Sequence, residues 1–390
     1  MRILYYCWDE LTSADFLKSA QELGYAAAVF RYPLKNKLMD AEFMDKLEQI
    51  ITCDDYDCIF TFNYFPVISK FSETHNIKYV CWLFDSPNLT LYSESVFNQC
   101  NYIFSFDKSE VLQLQAYGVK NIFHMPLAVN TKKLHTLLDN NSSSKKEYSY
   151  EISFLGKLYN DEYNFFDQIK NMPEYYKGFF DALIKAQMNI FGYDIASDII
   201  TDELFAQINS FVSFQQISEI FLQEKDFFIN ILQKKITATE RLELLKLISS
   251  KYKVTHFAPV SDPSLDKVDF KGYVNYDSEM PFVFAQSKIN LNISLRSILS
   301  GIPLRCLDIM GAGGFLLSNY QPELAEYFEN GKEIVMYESQ YDLMNKIDYY
   351  LSHENEREEI ARCGQRKIDA EFSYVKTLPK IFGIVNADSN

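Results

Sequence analysis

The chain has 390 residues, 47% of them hydrophobic, which is long enough for two domains with full cores. Lys and Arg number 38 against 53 Asp and Glu, a net charge of −15, so the average surface repels a nucleic-acid backbone and nucleic-acid binding is excluded. Seven cysteines lack a CxxC pair and five scattered histidines lack an i, i+4 pair. They read as buried thiols of a reducing compartment, with no disulfide framework and no intrinsic metal site.

The first ten residues, MRILYYCWDE, hold one basic residue and a short apolar run ended by Asp9 and Glu10, which is neither a signal peptide nor an anchor. No apolar run reaches membrane-span length, so a cytoplasmic protein is expected. Short apolar runs then alternate with helical patterns to about residue 130. They are RILYYC, a helix to Leu23, YAAAVF, a helix over Met39–Thr52, DCIFTF, a helix, KYVCWLF, a helix, YIFSF, a helix and NIFHM. This alternation predicts a doubly wound parallel sheet, an α/β domain over residues 1–138. Residues 139–150, opening DNNSSSKK, read as a linker.

A second alternation fills 151–390: EISFLG, then YKVTHFA, VDFKGYV, KINLNIS, GFLLSN and KEIVMY. Its first crossover, 161–250, is far longer than the dozen residues a crossover needs, so a helical insertion is expected. The insertion reads either as a bundle that pads the domain or pairs two copies of the chain, or as a cap that recognises an acceptor.

Within this second half, SGIPLRCLDIMGAGGFLLSN (Ser300 to Asn319) predicts a loop, a helix opened by Pro303, a glycine turn over Gly311–Gly314 and an apolar strand. A Ser300-Gly301 loop approaching a helix N-terminus presents free N–H groups and a positive dipole end to a phosphate. Arg305 and Asp308 lie on the first turns. Locally, Asp308 reads equally well as a solvated helix residue.

The stretches GYVNYDSEMP, KINLNIS, GIPLRCLDIMGAGGFLLSN and ELAEYFENGKEIVMYES, followed by IDYYLSHENEREEIARCG, resemble the C-terminal half of the CgeB-like glycosyltransferases. Upstream, WLFDSPN, FSFDKSEVLQLQAYGVKN and MPLAVN resemble their partner domain. The resemblance implies a GT-B fold, with two facing Rossmann-like domains and ligands bound in the cleft at the carboxyl ends of the strands. It also implies a C-terminal helix, around 372–384, that crosses back to brace the first domain. The implied activity is sugar transfer from a nucleotide-diphosphate donor, UDP- or GDP-linked, to a protein or glycan acceptor, with no metal or other cofactor. Members act on bacterial surface or spore-coat components.

Such transfer needs countercharge for the leaving diphosphate and a base for the acceptor. Lys157, in the Gly156-Lys157 turn, stands where the fold places the diphosphate, and is otherwise a solvated loop lysine. Of Arg296 and Arg305, one reaches phosphate and the other pairs with an acid. Asp308 holds the position of the ribose-binding acid, while Ser300 stands where the paired-glutamate enzymes carry a glutamate eight residues earlier. That departure leaves a retaining mechanism unsupported. Tyr273 sits where a base would stack. Asp85, past the strand KYVCWLF, is either a general base or a turn residue. Asp9 is either a base or a helix N-terminal acid with Thr12 or Ser13 as cap. Asp107 reads as the cap of the helix from Lys108, and Glu333 as a further donor contact. Two other readings keep the fold: an assembly protein that docks through the insertion, and a nucleotide-sugar epimerase, for which histidines are few.

Overall fold

The computed structural model describes residues 1–139, 148–162, 164–212 and 219–387. Of the linker read at 139–150, residues 140–147 lie outside the described residues. In chain order the strands are β1 (Arg2–Tyr6), β2 (Ala26–Phe30), β3 (Cys58–Phe62), β4 (Lys78–Trp82), β5 (Asn101–Ser105), β6 (Ile122–His124), β7 (Tyr150–Leu155), β8 (Val254–Phe257), β9 (Asp269–Phe270), β10 (Ser287–Asn292), β11 (Leu316–Asn319) and β12 (Val335–Tyr337). The helices are α1 (Ser13–Glu22), α2 (Ala41–Ile51), α3 (Pro66–His75), α4 (Lys108–Ala116), α5 (Thr131–Asp139), α6 (Glu174–Met188), α7 (Ile195–Ile199), α8 (Asp202–Ile208), α9 (Glu224–Ser249), α10 (Met280–Ala285), α11 (Leu304–Gly311), α12 (Pro322–Tyr327), α13 (Gln340–Ser352), α14 (Glu354–Glu371) and α15 (Tyr374–Ala387).

The chain forms two compact units. The first is built from residues 1–130, 215–222 and 371–390, the second from 131–214 and 223–370. Each holds a six-stranded, all-parallel sheet. Central strands such as β3, CIFTF, are buried along their whole length, as a sheet covered on both faces requires.

In the first sheet the order is β2-β1-β3-β4-β5-β6, so the strand order reverses between β1 and β3. Helices start where the sequence supplies caps: Asp40 accepts from the Phe43 N–H at α2, and Asp107 accepts from the Ser109 N–H at α4. The helix expected between β4 and β5 is instead two single 3₁₀ turns, Leu89–Tyr92 and Glu94–Phe97. Pro87 and the side-chain cap of Asn88 on the Thr90 N–H divide that stretch into turns too short to become α-helix. Residues 219–222 lie against this same stretch: Phe221 donates its N–H to the Tyr92 carbonyl at 2.7 Å and packs among Tyr92, Phe97 and Tyr117. The C-terminal helix α15 packs on α1, with Phe382 against Tyr25 and Phe60.

In the second sheet the order is β12-β11-β10-β7-β8-β9, and the reversal falls between β7 and β10. The insertion is shorter than the sequence suggests. Helices α6 to α8 and the first half of α9 (Phe228, Ile231, Leu232, Ile236) enclose a core of their own. The second half of α9 (Leu244, Leu245, Ile248) belongs to the sheet core and is the crossover from β7 to β8. One 26-residue helix therefore serves two cores, and its apolar residues are not confined to one face. The glycine turn before β11 is sterically required at Gly314, where a Cβ would stand 2.7 Å from the Asn290 amide and 2.8 Å from the Phe284 carbonyl. No described helix is long and apolar enough to cross a membrane, and all seven cysteines are free thiols, with Cys53 exposed.

Candidate functional site

In an open parallel sheet, loops leave the carboxyl ends of neighbouring strands in opposite directions where the strand order reverses, and a crevice opens there. In the second unit that crevice lies between the loops after β7 and β10. The first loop is Gly156-Lys157. Lys157 is exposed, and its ammonium has no partner among the described residues. Across the reversal, the Ser294 N–H donates to Asn319 Oδ1 at 2.8 Å, and Asn292 Nδ2 donates to Ser294 and Ser318. These buried bonds fix the loop that leads to α11.

At α11 the structure brings three polar side chains together. Asp308 is 5% exposed and accepts a 3.0 Å hydrogen bond from the Tyr276 hydroxyl. The Arg305 guanidinium is 3.7 Å from the other oxygen of Asp308, lies over the Phe284 ring and touches the Met280 sulfur through Nη1. Its Nε and Nη2 make no hydrogen bond among the described residues, and the side chain is part-exposed. Pro303 caps the helix with an extended backbone, one position before its first residue. Gly301 is buried. Ser300 donates to Glu323 Oε1 at 2.8 Å, and the Glu323 N–H donates back to the Ser300 carbonyl.

Arg296 is held differently. Its Nε and Nη2 donate to both oxygens of buried Glu240 at 2.7 Å, and Nη1 and Nη2 donate to the carbonyls of Ile190 and Met188. Of the two arginines it is the one that pairs with an acid. Tyr273 follows Gly272 on the loop after β9 and is 63% exposed. Glu333 lies before the amino end of β12, accepting the Glu329 N–H, whereas the other candidates gather at carboxyl ends. Its part is to close a turn.

In the first unit the reversal lies between β1 and β3. Trp8 spans it, donating Nε1–H to the Phe62 carbonyl at 2.9 Å. Asp9 adopts φ +63° with its side chain almost wholly exposed, 3.9 Å from Arg31. It lies outside α1, whose N-cap is Thr12 without a side-chain bond, so Asp9 is not that helix's first-turn acid. The neighbouring Glu10 turns inward instead. It accepts the Trp8 N–H, and burial raises its pKa above the usual carboxylate range.

Asp85 neither caps a helix nor closes a turn. Its Oδ2 accepts from Asn63 Nδ2 at 2.7 Å, while Asn63 Oδ1 takes the N–H groups of Phe84 and Asp85. Asn63 can do this because it sits at φ +62° directly after β3, a conformation that asparagine tolerates. The second oxygen of Asp85 has no hydrogen-bond partner among the described residues and faces solvent. Beside it, Asp107 caps α4 and accepts from Ser86. Glu110 is fully buried, receives the Asn88 N–H and the Ser105 hydroxyl, and is pushed up to about 8, chiefly by burial, with Asp107 and Asp85 adding to the rise.

Sequence reasoning missed Tyr276, Asn63, Glu10 and Glu110. An asparagine directly after an apolar strand hints at a left-handed residue. The link from Tyr276 to Asp308 spans 32 positions and leaves no local trace. Among the described residues no group of three or more His, Cys, Asp or Glu is placed to hold a metal ion.

Residues 237–383 match the family model described as glycosyl transferase-like. No curated protein matches the chain. Among solved structures, the chain is similar to Anabaena Alr3699/HepE in complex with UDP and glucose, with 11% identity, 99% of this chain and 100% of that chain covered, and a TM-score of 0.54. It is similar to sucrose-phosphate synthase from Thermosynechococcus elongatus, with 10% identity, 100% of both chains covered and a TM-score of 0.53. It is similar also to a glycosyltransferase from Rickettsia africae, with 11% identity, 99% and 98% covered, and a TM-score of 0.52. The fold is the α/β fold of the GT-B glycosyltransferases, two parallel six-stranded sheets with their helices, and the stretch from 237 to 383 is glycosyl transferase-like.

Proposed function

We propose that the chain transfers a sugar from a nucleoside diphosphate donor held by the second unit to an acceptor hydroxyl. The observation that carries this is the group at α11: Asp308 held by Tyr276, beside an Arg305 with two uncommitted nitrogens, within the glycosyl transferase-like stretch. The bond from the sugar's anomeric carbon to the diphosphate oxygen breaks, and a bond to the acceptor oxygen forms. The leaving group's charge falls to Lys157, Arg305 and the first amides of α11. Asp308 accepts hydroxyls of the nucleoside, and Tyr273 offers a ring for the base.

Asp85 is the proposed base that takes the acceptor's proton. Asn63 holds one of its oxygens and leaves the other open. Exposed Asp9 lacks such support and is the weaker candidate. Arg296 serves the fold. With Ser300 bonded to Glu323, no glutamate stands at that position of the motif, and the reading carries no stereochemical outcome. The quoted motifs favour a CgeB-like enzyme with a protein or glycan acceptor, working in the cytoplasm without a metal.

The test is a thermal-shift series with UDP, GDP, dTDP and CMP, with and without EDTA, because a ligand that binds only the folded state raises its melting temperature. Stabilisation by one nucleoside diphosphate, unchanged by EDTA and lost in Asp308→Ala, is expected. A protein indifferent to all of them is not a nucleotide-sugar enzyme, and the docking role of the insertion would then be the reading to pursue.

A further inference from the structure

Helix α9 carries two consecutive charged residues, Glu240 and Arg241, into the interior beneath the reversal point of the second sheet, where they are 2% and 7% exposed. Glu240 is fully taken by Arg296. Arg241 has no carboxylate partner among the described residues. It donates Nε and Nη2 to the Ile293 carbonyl and Nη1 to the Lys157 carbonyl, between the rings of Phe154 and Tyr159 at 5.3 and 5.1 Å. Glu240, Arg241 and Arg296 together leave one buried positive charge in excess, which a fold keeps at a cost unless a counter-charge arrives. The Tyr337 hydroxyl, also buried beside these charges, has no partner among the described residues.

The loop above shows where that counter-charge belongs. Arg241 draws the Lys157 carbonyl inward, and His256 Nε2–H draws in the Gly156 carbonyl at 2.9 Å. In a trans peptide the N–H points opposite to the C=O, so the N–H groups of Lys157 and Leu158 face outward. Neither has an acceptor among the described residues. Two adjacent unpaired N–H groups beside an ammonium form an anion-binding concavity. The Gly156 turn rests on the guanidinium, and a Cβ there would stand 3.3 Å from the Phe154 ring and 3.6 Å from Arg241 Nη1.

We propose that Arg241 is the positioning residue of a diphosphate seat: from beneath the loop it turns two peptide units so that the Lys157 and Leu158 N–H groups face the diphosphate, whose charge balances its own. The inference rests on the nucleoside diphosphate reading above. Calorimetry of UDP and GDP against uridine and guanosine tests it, on the wild type and on Arg241→Lys and Arg241→Met. Expected is a loss of at least tenfold in diphosphate affinity with nucleoside affinity kept, larger in Arg241→Met. In the unaltered protein, hydrogen exchange over residues 156–159 is expected to slow with the diphosphate and not with the nucleoside, a readout that survives if both variants fail to fold. Equal losses for nucleoside and diphosphate, undiminished diphosphate binding by a folded variant, or exchange at 156–159 indifferent to the diphosphate would each overturn the role of Arg241 and leave the donor reading standing. A wild type that binds neither diphosphate overturns both.

Discussion

The carboxyl ends of the two sheets are built from the same kind of loop and carry opposite charge. In the first unit the loops after β1, β4 and β5, with the first turn of α4, bring Asp9, Glu10, Asp85, Asp107 and Glu110 to one end of the sheet. In the second, the loops after β7 and β10 and the first turns of α9's neighbour α11 bring Lys157 and Arg305, with Arg241 beneath, and Asp308 as the acid beside them. An acidic end can accept a proton and repels phosphate; a cationic end stabilises a leaving diphosphate. One topology thus yields two chemistries according to which side chains follow the strands.

The largest effects should come from exchanging these characters. Lys157→Ala and Asp308→Ala are expected to cut turnover about 100-fold or more and to weaken nucleoside diphosphate binding together with it. Asp85→Asn is expected to cut turnover by a similar factor, about 100-fold or more, while calorimetric nucleotide binding stays unchanged. If Asp85→Asn weakened nucleotide binding instead, the assignment of proton chemistry to the first unit would break.

The two arginines of the second unit sharpen the contrast between fold and site. Arg296→Ala leaves buried Glu240 unpaired and should cost about 3–5 kcal/mol in urea unfolding. Arg305→Ala, at a part-exposed position, should change stability by less than about 1 kcal/mol and reduce diphosphate affinity.

In the first unit, pH is the lever. An unfolded chain releases the Glu110 proton near 4.5, whereas the folded one holds it to about 8. Stability from this group is therefore complete below pH 4.5 and declines as pH rises toward 8, by at most about 4–5 kcal/mol. Glu110→Gln should flatten that decline in melts between pH 5 and 8, and a variant with the wild-type slope would show that Glu110 is ionised in the fold. The smallest effect is expected of Tyr276→Phe, which removes one hydrogen bond from Asp308 and should lower nucleotide affinity by about 1–2 kcal/mol in calorimetry.

The alternation of strand and helix was legible because a strand buried on both faces must be an apolar run, as CIFTF and KINLN are. Asp107 was legible as a cap because a cap is a local bond. The 3₁₀ turns at Leu89–Phe97 were not, since their packing against Phe221 comes from 120 residues downstream. Asp9 was chosen over Glu10 because both follow the strand, and only the backbone at φ +63° decides which one turns inward. Arg241 was illegible for a related reason: on a helix with apolar residues all round, a single arginine carries no mark of the loop it will meet.

Residues 219–222 and α15 give the first unit a peculiarity of inheritance. Its sheet is encoded before residue 130, but its aromatic cover over Tyr92 and Tyr117 comes from a segment in the middle of the gene, and its brace on α1 from the last exon-length of sequence. No contiguous fragment can therefore reproduce it, and during synthesis it stays incomplete until almost the whole chain has left the ribosome. A split protein cut at Asn130 would expose that aromatic patch and the α1 surface together, so complementation of the two halves, rather than independent folding of either, is what such a cut should yield.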